Sequence, residues 1–140
     1  MLILDTDIVT LAHLGNPVIV RHIAQTRKSE EIAVTIITKV EILRGRFDYL
    51  PKAGAKEQFL KAQRLLVQSE ARLNEAPILF LNDAALDVFA TLQHTRGTRN
   101  IGRSDLLIAA IALAHNATVA TWNTKHFSKV PRLRLANWRD

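Results

Sequence analysis

The sequence predicts an α/β fold, a central parallel sheet of four to five strands flanked by helices on both faces. Short apolar runs rich in β-branched residues alternate with segments of helical periodicity, and the links between them are short. No internal repeat, low-complexity tract or linker interrupts the 140 residues, so the chain reads as a single domain over 1–140.

The elements follow in order. Leu2–Leu4 is an apolar run ending at Asp5, read as a first buried strand. Thr6 to His13 reads as a short helix, stopped near Gly15-Asn16-Pro17. A second helix over Val18–Arg27 starts at Pro17, with Ile19 and Ile23 on one face. Ile32–Thr35 is a second strand. Thr38-Lys39-Val40-Glu41 has the S/T-x-x-E pattern of a capping box, which opens a helix to about Arg46. Ala55–Asn74 carries Phe59, Ala62, Leu65 and Leu66 at helical spacing. Ile78–Leu81 is a third strand, and Asn82 or Asp83 caps a helix to about Thr95. After the polar loop Thr98–Arg103 come an apolar helix, Asp105–His115, and a strand, Thr118–Thr121, with Leu133–Leu135 as a fifth.

Composition narrows the classes. A hydrophobic fraction of 48% suits a folded domain, one able to bury roughly two thirds of its unfolded surface. The lack of cysteine excludes disulfide scaffolds and thiolate metal sites, and fits a reducing compartment. The opening MLILDTDIVT has acids and no basic n-region, and the longest apolar stretch, Leu106–Ala114, is too short for a bilayer. A cytoplasmic protein with no membrane association is expected. Nineteen Lys and Arg against thirteen Asp and Glu give a net charge of +6, which favours an anionic partner such as nucleic acid. The basic residues are spread along the chain, so charge is supporting evidence only.

The chemistry lies in where the polar residues fall. Asp5 ends the first strand, Glu41 sits in the first turn after the second, Asp105 opens the apolar helix, and Asn123 follows the fourth strand. In a parallel α/β sheet these strand ends and helix starts share one edge, where ligands bind. Oxygen ligands converging there suit a hard divalent cation such as Mg²⁺ or Mn²⁺. Each residue also has a structural reading: Asp5 as an N-cap, Glu41 in the capping box, Asp105 complementing the helix dipole behind a Ser104 cap. Their joint placement on one edge is what those readings leave unexplained.

Along nearly its whole length the chain resembles the PIN-domain nucleases, and within them the VapC-type toxins of type II toxin–antitoxin systems. The blocks LDTDIVT, ITKVEILRG, IGRSDLLIAAIALAHNATVATWNTKHF and VPRLRLANW carry the resemblance. The third is the most specific, with acid, apolar helix, strand and T-x-N turn in the family's order and spacing. The resemblance implies a PIN-like domain and an Mg²⁺- or Mn²⁺-dependent ribonuclease, with an RNA substrate, a small cognate antitoxin and a homodimer. Asp5, Glu41 and Asp105 fall on the family's principal acidic metal-site positions. Asn123 falls on the fourth, often Asp in the wider family and commonly Asn in VapC-like members. Asp7 stands where the family often has Asn, as a residue assisting the site. His126 stands where acids are frequent, leaving this chain one carboxylate fewer. Ser104 and Thr121 are supporting hydroxyls by the same resemblance, and Arg44, Arg99 and Arg103 are candidates for RNA phosphates. The helices around Val18–Ile23 and Phe59–Leu66 are candidate antitoxin contacts, with core packing as the other reading.

Two rivals stand beside this reading. A catalytically silent PIN-like module would bind nucleic acid or protein without cutting, but its mark would be loss of an acid, and the principal acids are present. A metal-dependent phosphohydrolase would use Asp5 and Asp7 as a D-x-D pair, but would leave Glu41 and the T-x-N turn unused. A dinucleotide-binding fold is set aside, because no G-x-G-x-x-G follows the first strand.

Overall fold

Residues 1–140 are described by a computed structural model. The elements run β1 (Leu2–Leu4), α1 (Thr6–His13), α2 (Pro17–Thr26), β2 (Ile32–Thr35), α3 (Ile36–Tyr49), a 3₁₀ turn (Leu50–Lys52), α4 (Lys56–Leu73), β3 (Ile78–Leu79), α5 (Asp83–Gln93), α6 (Arg103–Ala114), β4 (Thr118–Thr121), α7 (Thr124–Phe127) and β5 (Arg134–Asn137). The five strands form one sheet in the order β3-β2-β1-β4-β5, every pairing parallel. No helix is long and apolar enough to cross a membrane.

Strand alternation sorts the core onto the two faces. Ile3 and Val119 point to one side and pack with Phe89 and Leu92 of α5 and Ile108 and Ile111 of α6. Leu2, Leu4 and Ala120 point to the other and meet Ile8 of α1, Ile19 of α2, Ile42 of α3 and Leu73 of α4. Helix α6 is buried over most of its length, and Ala109, Ala110 and Ala112 keep it slim enough for close packing. The expected sheet with helices on both faces is what forms.

Local chemistry accounts for the element ends. Gly15 takes φ +77° after α1, a conformation that costs glycine little. Asn16 then caps α2, its Oδ1 accepting from the backbone N–H groups of Val18 and Ile19, and Pro17 occupies the first turn. The Thr38–Glu41 capping box does not form. Strand β2 passes into α3 without a linker, so the helix begins three residues before Lys39 and the cap is Thr35, whose Oγ1 accepts from Thr38 N–H at 3.2 Å. Glu41 therefore lies in the second turn, released from any capping duty. Ser104 is not a cap either: α6 starts at Arg103 behind Gly102, and no side chain caps it.

Other bounds shift modestly. Helix α3 continues to Tyr49 rather than Arg46, and α5 stops at Gln93, short of Thr95. Strand β3 pairs only through Ile78–Leu79, because just these residues follow in register from Val34 and Thr35. Strand β5 is Arg134–Asn137, set by its register against the whole of β4, not Leu133–Leu135. The short helix α7 was not expected from sequence.

Ile108 is fully buried between α6 and the sheet. Ile108→Ala should lower unfolding free energy by about 3 kcal/mol, the usual cost of such a cavity, and a urea titration with unchanged slope would measure it.

Candidate active site

The strand order reverses at β1. The chain leaves β1 for β2 on one side and later returns to place β4 on the other. A crevice opens beyond the carboxyl ends of strands at such a switch point. Asp5 follows β1 and Thr121 ends β4, so both lie at its mouth. Helices of a parallel α/β unit run back against the strands, which brings the N-terminal half of α3 and the first turn of α6 to the same edge. The result is a polar cleft of about 190 Å³ lined by Asp5, Thr6, Asp7, Glu41, Asp105, Thr121, Asn123, His126 and Phe127.

Asp5 is the most constrained of these groups. It is 4% exposed, and its Oδ1 accepts from Ile8 N–H at 2.9 Å as the N-cap of α1. Burial pushes its pKa up from 3.8 to about 6. A hydrogen bond from Thr121 and the one from Ile8 pull it down, while Asp7 and Asp105 add repulsion. Thr121 is fully buried, and its Oγ1 also accepts from Asn123 N–H at 3.1 Å. The metal-site and N-cap readings of Asp5 are thus compatible: one oxygen caps the helix while the carboxyl borders the cleft.

Glu41 is held by a directional relay. Thr6 Oγ1 donates to Glu41 Oε1 at 2.6 Å and lies 3.0 Å from Thr38 Oγ1. A hydroxyl has one proton, and that of Thr6 goes to Glu41, so Thr38 is the donor to Thr6. Asp105, in the first turn of α6, has its Oδ2 3.3 Å from Nδ1 of the exposed His126. Asn123 lines the cleft, but its Oδ1 accepts from Lys125 N–H at 3.2 Å and so caps α7. Asp7 is exposed at the rim.

The donor set suits a hard cation, with carboxylate, hydroxyl and amide oxygens and no sulfur. A divalent ion there would relieve the repulsion that Asp7 and Asp105 exert on Asp5. The acids do not close into a ready coordination shell, however: no three acidic or imidazole side chains converge on one point. Each carboxylate instead faces a donor from the protein, Ile8 and Thr121 for Asp5, Thr6 for Glu41, and His126 for Asp105.

The remaining sequence candidates lie outside the cleft. Ser104 is half-buried and does not line it. Arg44 borders a separate groove on α3 with Val40 and Phe47. Arg103 is exposed with its guanidinium 5.4 Å from the Phe89 ring centre, and Arg99 is exposed in the preceding loop. Thr6 and Thr38 were missed as site residues. The sequence signal for Thr6 is its place inside the polar triplet Asp5-Thr6-Asp7; the T-x-x-E pattern draws Thr38 to a capping role instead. A second, mostly apolar cavity of about 290 Å³ between α1, α2 and β2 includes His13, whose pKa is lowered by burial and by Arg72 and Arg46. It holds one acid, Glu75, against the four that line the polar cleft.

The raised pKa of Asp5 has a stability consequence. Below about pH 4 its carboxyl is protonated in folded and unfolded chains alike, and burial is tolerated; as pH rises through about 6 the fold must hold a buried charge, and that stability is lost. In EDTA at pH 7.5, Asp5→Asn should therefore raise unfolding free energy, by roughly 2 kcal/mol, with the gain vanishing near pH 4. Paired denaturant titrations at the two pH values measure this; a gain independent of pH would contradict it.

Comparison with known proteins places these features in a family. The PIN-domain pattern matches residues 2–133. The chain is 28% identical over 138 residues to Ribonuclease VapC1 of Haemophilus influenzae strain R2866, covering 96% of each protein. Among solved structures, VapBC2 from Rickettsia felis, bound to a DNA fragment from its promoter, is similar with a TM-score of 0.77 and 29% identity, over 98% of both chains. VapBC-1 from nontypeable Haemophilus influenzae shares the fold with a TM-score of 0.78 at 24% identity, over 99% of this chain and 98% of that one. With the pattern spanning all but its last few residues, and with its acids gathered at the switch point of a five-stranded parallel sheet, the chain belongs to the PIN-domain family.

Proposed function

We propose that this chain is an Mg²⁺- or Mn²⁺-dependent endoribonuclease that hydrolyses RNA phosphodiester bonds and acts as the toxin of a toxin–antitoxin pair. The observation that carries the reading is the common cleft of Asp5, Glu41 and Asp105, in a chain similar to a VapC ribonuclease over 96% of its length.

In this reading Asp5, Glu41 and Asp105 hold the cation through carboxylate oxygens, with Asn123 and Asp7 beside them. When bound, the ion supplies Lewis-acid chemistry, favouring ionisation of an attacking water and offsetting charge that develops on the phosphoryl oxygens. The protein's part is orientation. Ile8 N–H and Thr121 fix Asp5, the Thr38–Thr6 relay turns Glu41, and His126 steadies Asp105. These groups are pre-set by packing, so little reorganisation accompanies the reaction. Water can serve as nucleophile, and no serine, threonine or cysteine need form a covalent intermediate.

A ribonuclease free in its own cell needs restraint, and a cognate antitoxin is the partner this reading requires. The similarity to VapBC2 and VapBC-1 supports it. Val20 on α2 and Phe59, Leu60 and Val67 on α4 are exposed apolar side chains within or beside the stretches expected to offer contact surface. A homodimer belongs to the same reading, and exposed Val40 and Phe47 on α3 supply apolar area for it.

Purified protein with labelled single-stranded RNA should cleave in Mg²⁺ or Mn²⁺ and not in EDTA, and Asp5→Asn and Glu41→Gln should abolish cleavage while remaining folded. Cleavage that persists in both EDTA and Asp5→Asn would overturn the mechanism. Thr6→Val removes the donor to Glu41 and should lower kcat about tenfold with KM for RNA little changed, the mark of lost orientation at the reacting centre.

A further inference from the structure

The acidic cleft does not end at Glu41. Thr6 and Glu41 also line a second, open groove of about 340 Å³ that runs between α1 and α3 toward Gly45, Arg46 and Tyr49. Glu41, Gly45 and Tyr49 recur every four residues, so they lie along one face of α3 and form a continuous path outward from the site.

Two groups on this path have unspent binding capacity. Arg46 is half-buried, and its Nε donates to Ser69 Oγ on α4 at 3.0 Å, which fixes the guanidinium plane. No carboxylate pairs with it, and its terminal amino groups make no hydrogen bond within the protein. A fixed cation without a counter-charge beside a phosphodiester cleft is an anion site of the arginine type. Tyr49 follows at the last turn of α3 with 38% of its surface exposed, presenting an aromatic ring where the groove opens. Gly45 lies between Glu41 and Tyr49, and a Cβ placed there would touch nothing within 4 Å, so the groove floor is kept clear by the lack of a side chain.

Spacing fits a nucleic-acid strand. From Glu41 to Arg46 the helix advances about 7.5 Å, and from Glu41 to Tyr49 about 12 Å. The first is the scale of one backbone step of an extended single strand, and the second reaches the base beyond it.

We propose that this groove is a subsite for a nucleotide flanking the scissile bond of single-stranded RNA, with Arg46 pairing to its phosphate and Tyr49 stacking on its base. The assignment rests on the ribonuclease reading above and extends it to a particular stretch of the substrate. Stacking on an aromatic ring tolerates any base, so this subsite contributes hold and register more than sequence choice.

The test is binding, kept apart from cleavage. In an Asp5→Asn background, fluorescein-labelled single-stranded RNA is titrated in Mg²⁺ and followed by anisotropy, with circular dichroism checking the fold of every variant. Tyr49→Ala and Gly45→Leu should each weaken binding about tenfold, while Tyr49→Phe keeps it. Gly45→Leu fills the groove yet raises helix propensity, so its melting temperature should not fall and a binding loss cannot be ascribed to unfolding. Arg46→Gln retains a donor for Ser69 and should reduce the slope of log affinity against log salt by about 0.7, the loss of one phosphate contact. Moving an abasic site along the RNA should reveal one position at which Tyr49→Ala no longer matters. RNA binding that is unaffected by Tyr49→Ala and Gly45→Leu overturns the subsite and leaves the ribonuclease reading intact. Groove-dependent binding by wild-type protein that cuts no RNA overturns the ribonuclease reading and leaves the subsite. Absence of RNA binding by the wild-type protein and the Asp5→Asn parent alike overturns both.

Discussion

A carboxyl group withdrawn from water at the end of the central strand governs the arrangement around it. Asp5 emerges from β1 between two neighbours, β2 and β4, and is almost wholly buried, meeting solvent only through the cleft it borders. Burial of an ionised group demands partners, and the fold provides them from both sides: the first turn of α1 directs Ile8 N–H at the carboxylate, and β4 delivers Thr121. The same group starts α1, borders the cleft and couples to Asp7 and Asp105 through charge. Its pKa near 6 records the imbalance left after those partners have acted. Held this way, Asp5 resembles many groups with perturbed ionisation that sit in clefts, where chemistry needs them and stability does not.

Glu41 depends on a different device, the absence of a loop. Because Thr35 ends β2 and caps α3 at once, the register of α3 is tied to the sheet. That register carries Thr38 and Glu41 to the face opposite Thr6, and two hydroxyls then set the carboxylate. A linker of even a few residues would loosen the rotation of α3 and with it the direction of Glu41. The same rotation aligns Gly45, Arg46 and Tyr49 along the groove, so one junction orients both the acid and the path leading away from it.

Much of this was legible in the chain. The apolar runs Leu2–Leu4, Ile32–Thr35 and Thr118–Thr121 are central strands, buried on both faces, and such runs leave a strong signal. Edge strands β3 and β5 were placed with shifted ends, because pairing on one side leaves fewer positions that must be apolar. The gathering of Asp5, Glu41 and Asp105 followed from topology, since strand ends and helix starts share an edge. The hydrogen bonds were not legible in the same way. The T-x-x-E pattern at Thr38–Glu41 matches a capping box in sequence, and only the earlier start of α3 shows that Thr35 takes that duty. Arginines near the acids in sequence, such as Arg44 and Arg103, point elsewhere in space, whereas Arg46, which no motif singles out, lies on the groove.

The outer margins of the sheet bear on how the molecule behaves in a crowded solution. A sheet edge offers unpaired N–H and C=O groups to any other extended chain, and natural proteins blunt such templates by brevity or charge. On one flank β3 pairs for two residues before the chain turns into Asn82 and α5, which leaves almost no rail for a foreign strand. On the other, β5 begins with exposed Arg134 and ends at Asn137, and the chain closes by burying Trp138, stacked on His22 of α2. Both flanks are thus poor seeds for intermolecular β-pairing, so the folded molecule has little means of recruiting a second copy through its sheet.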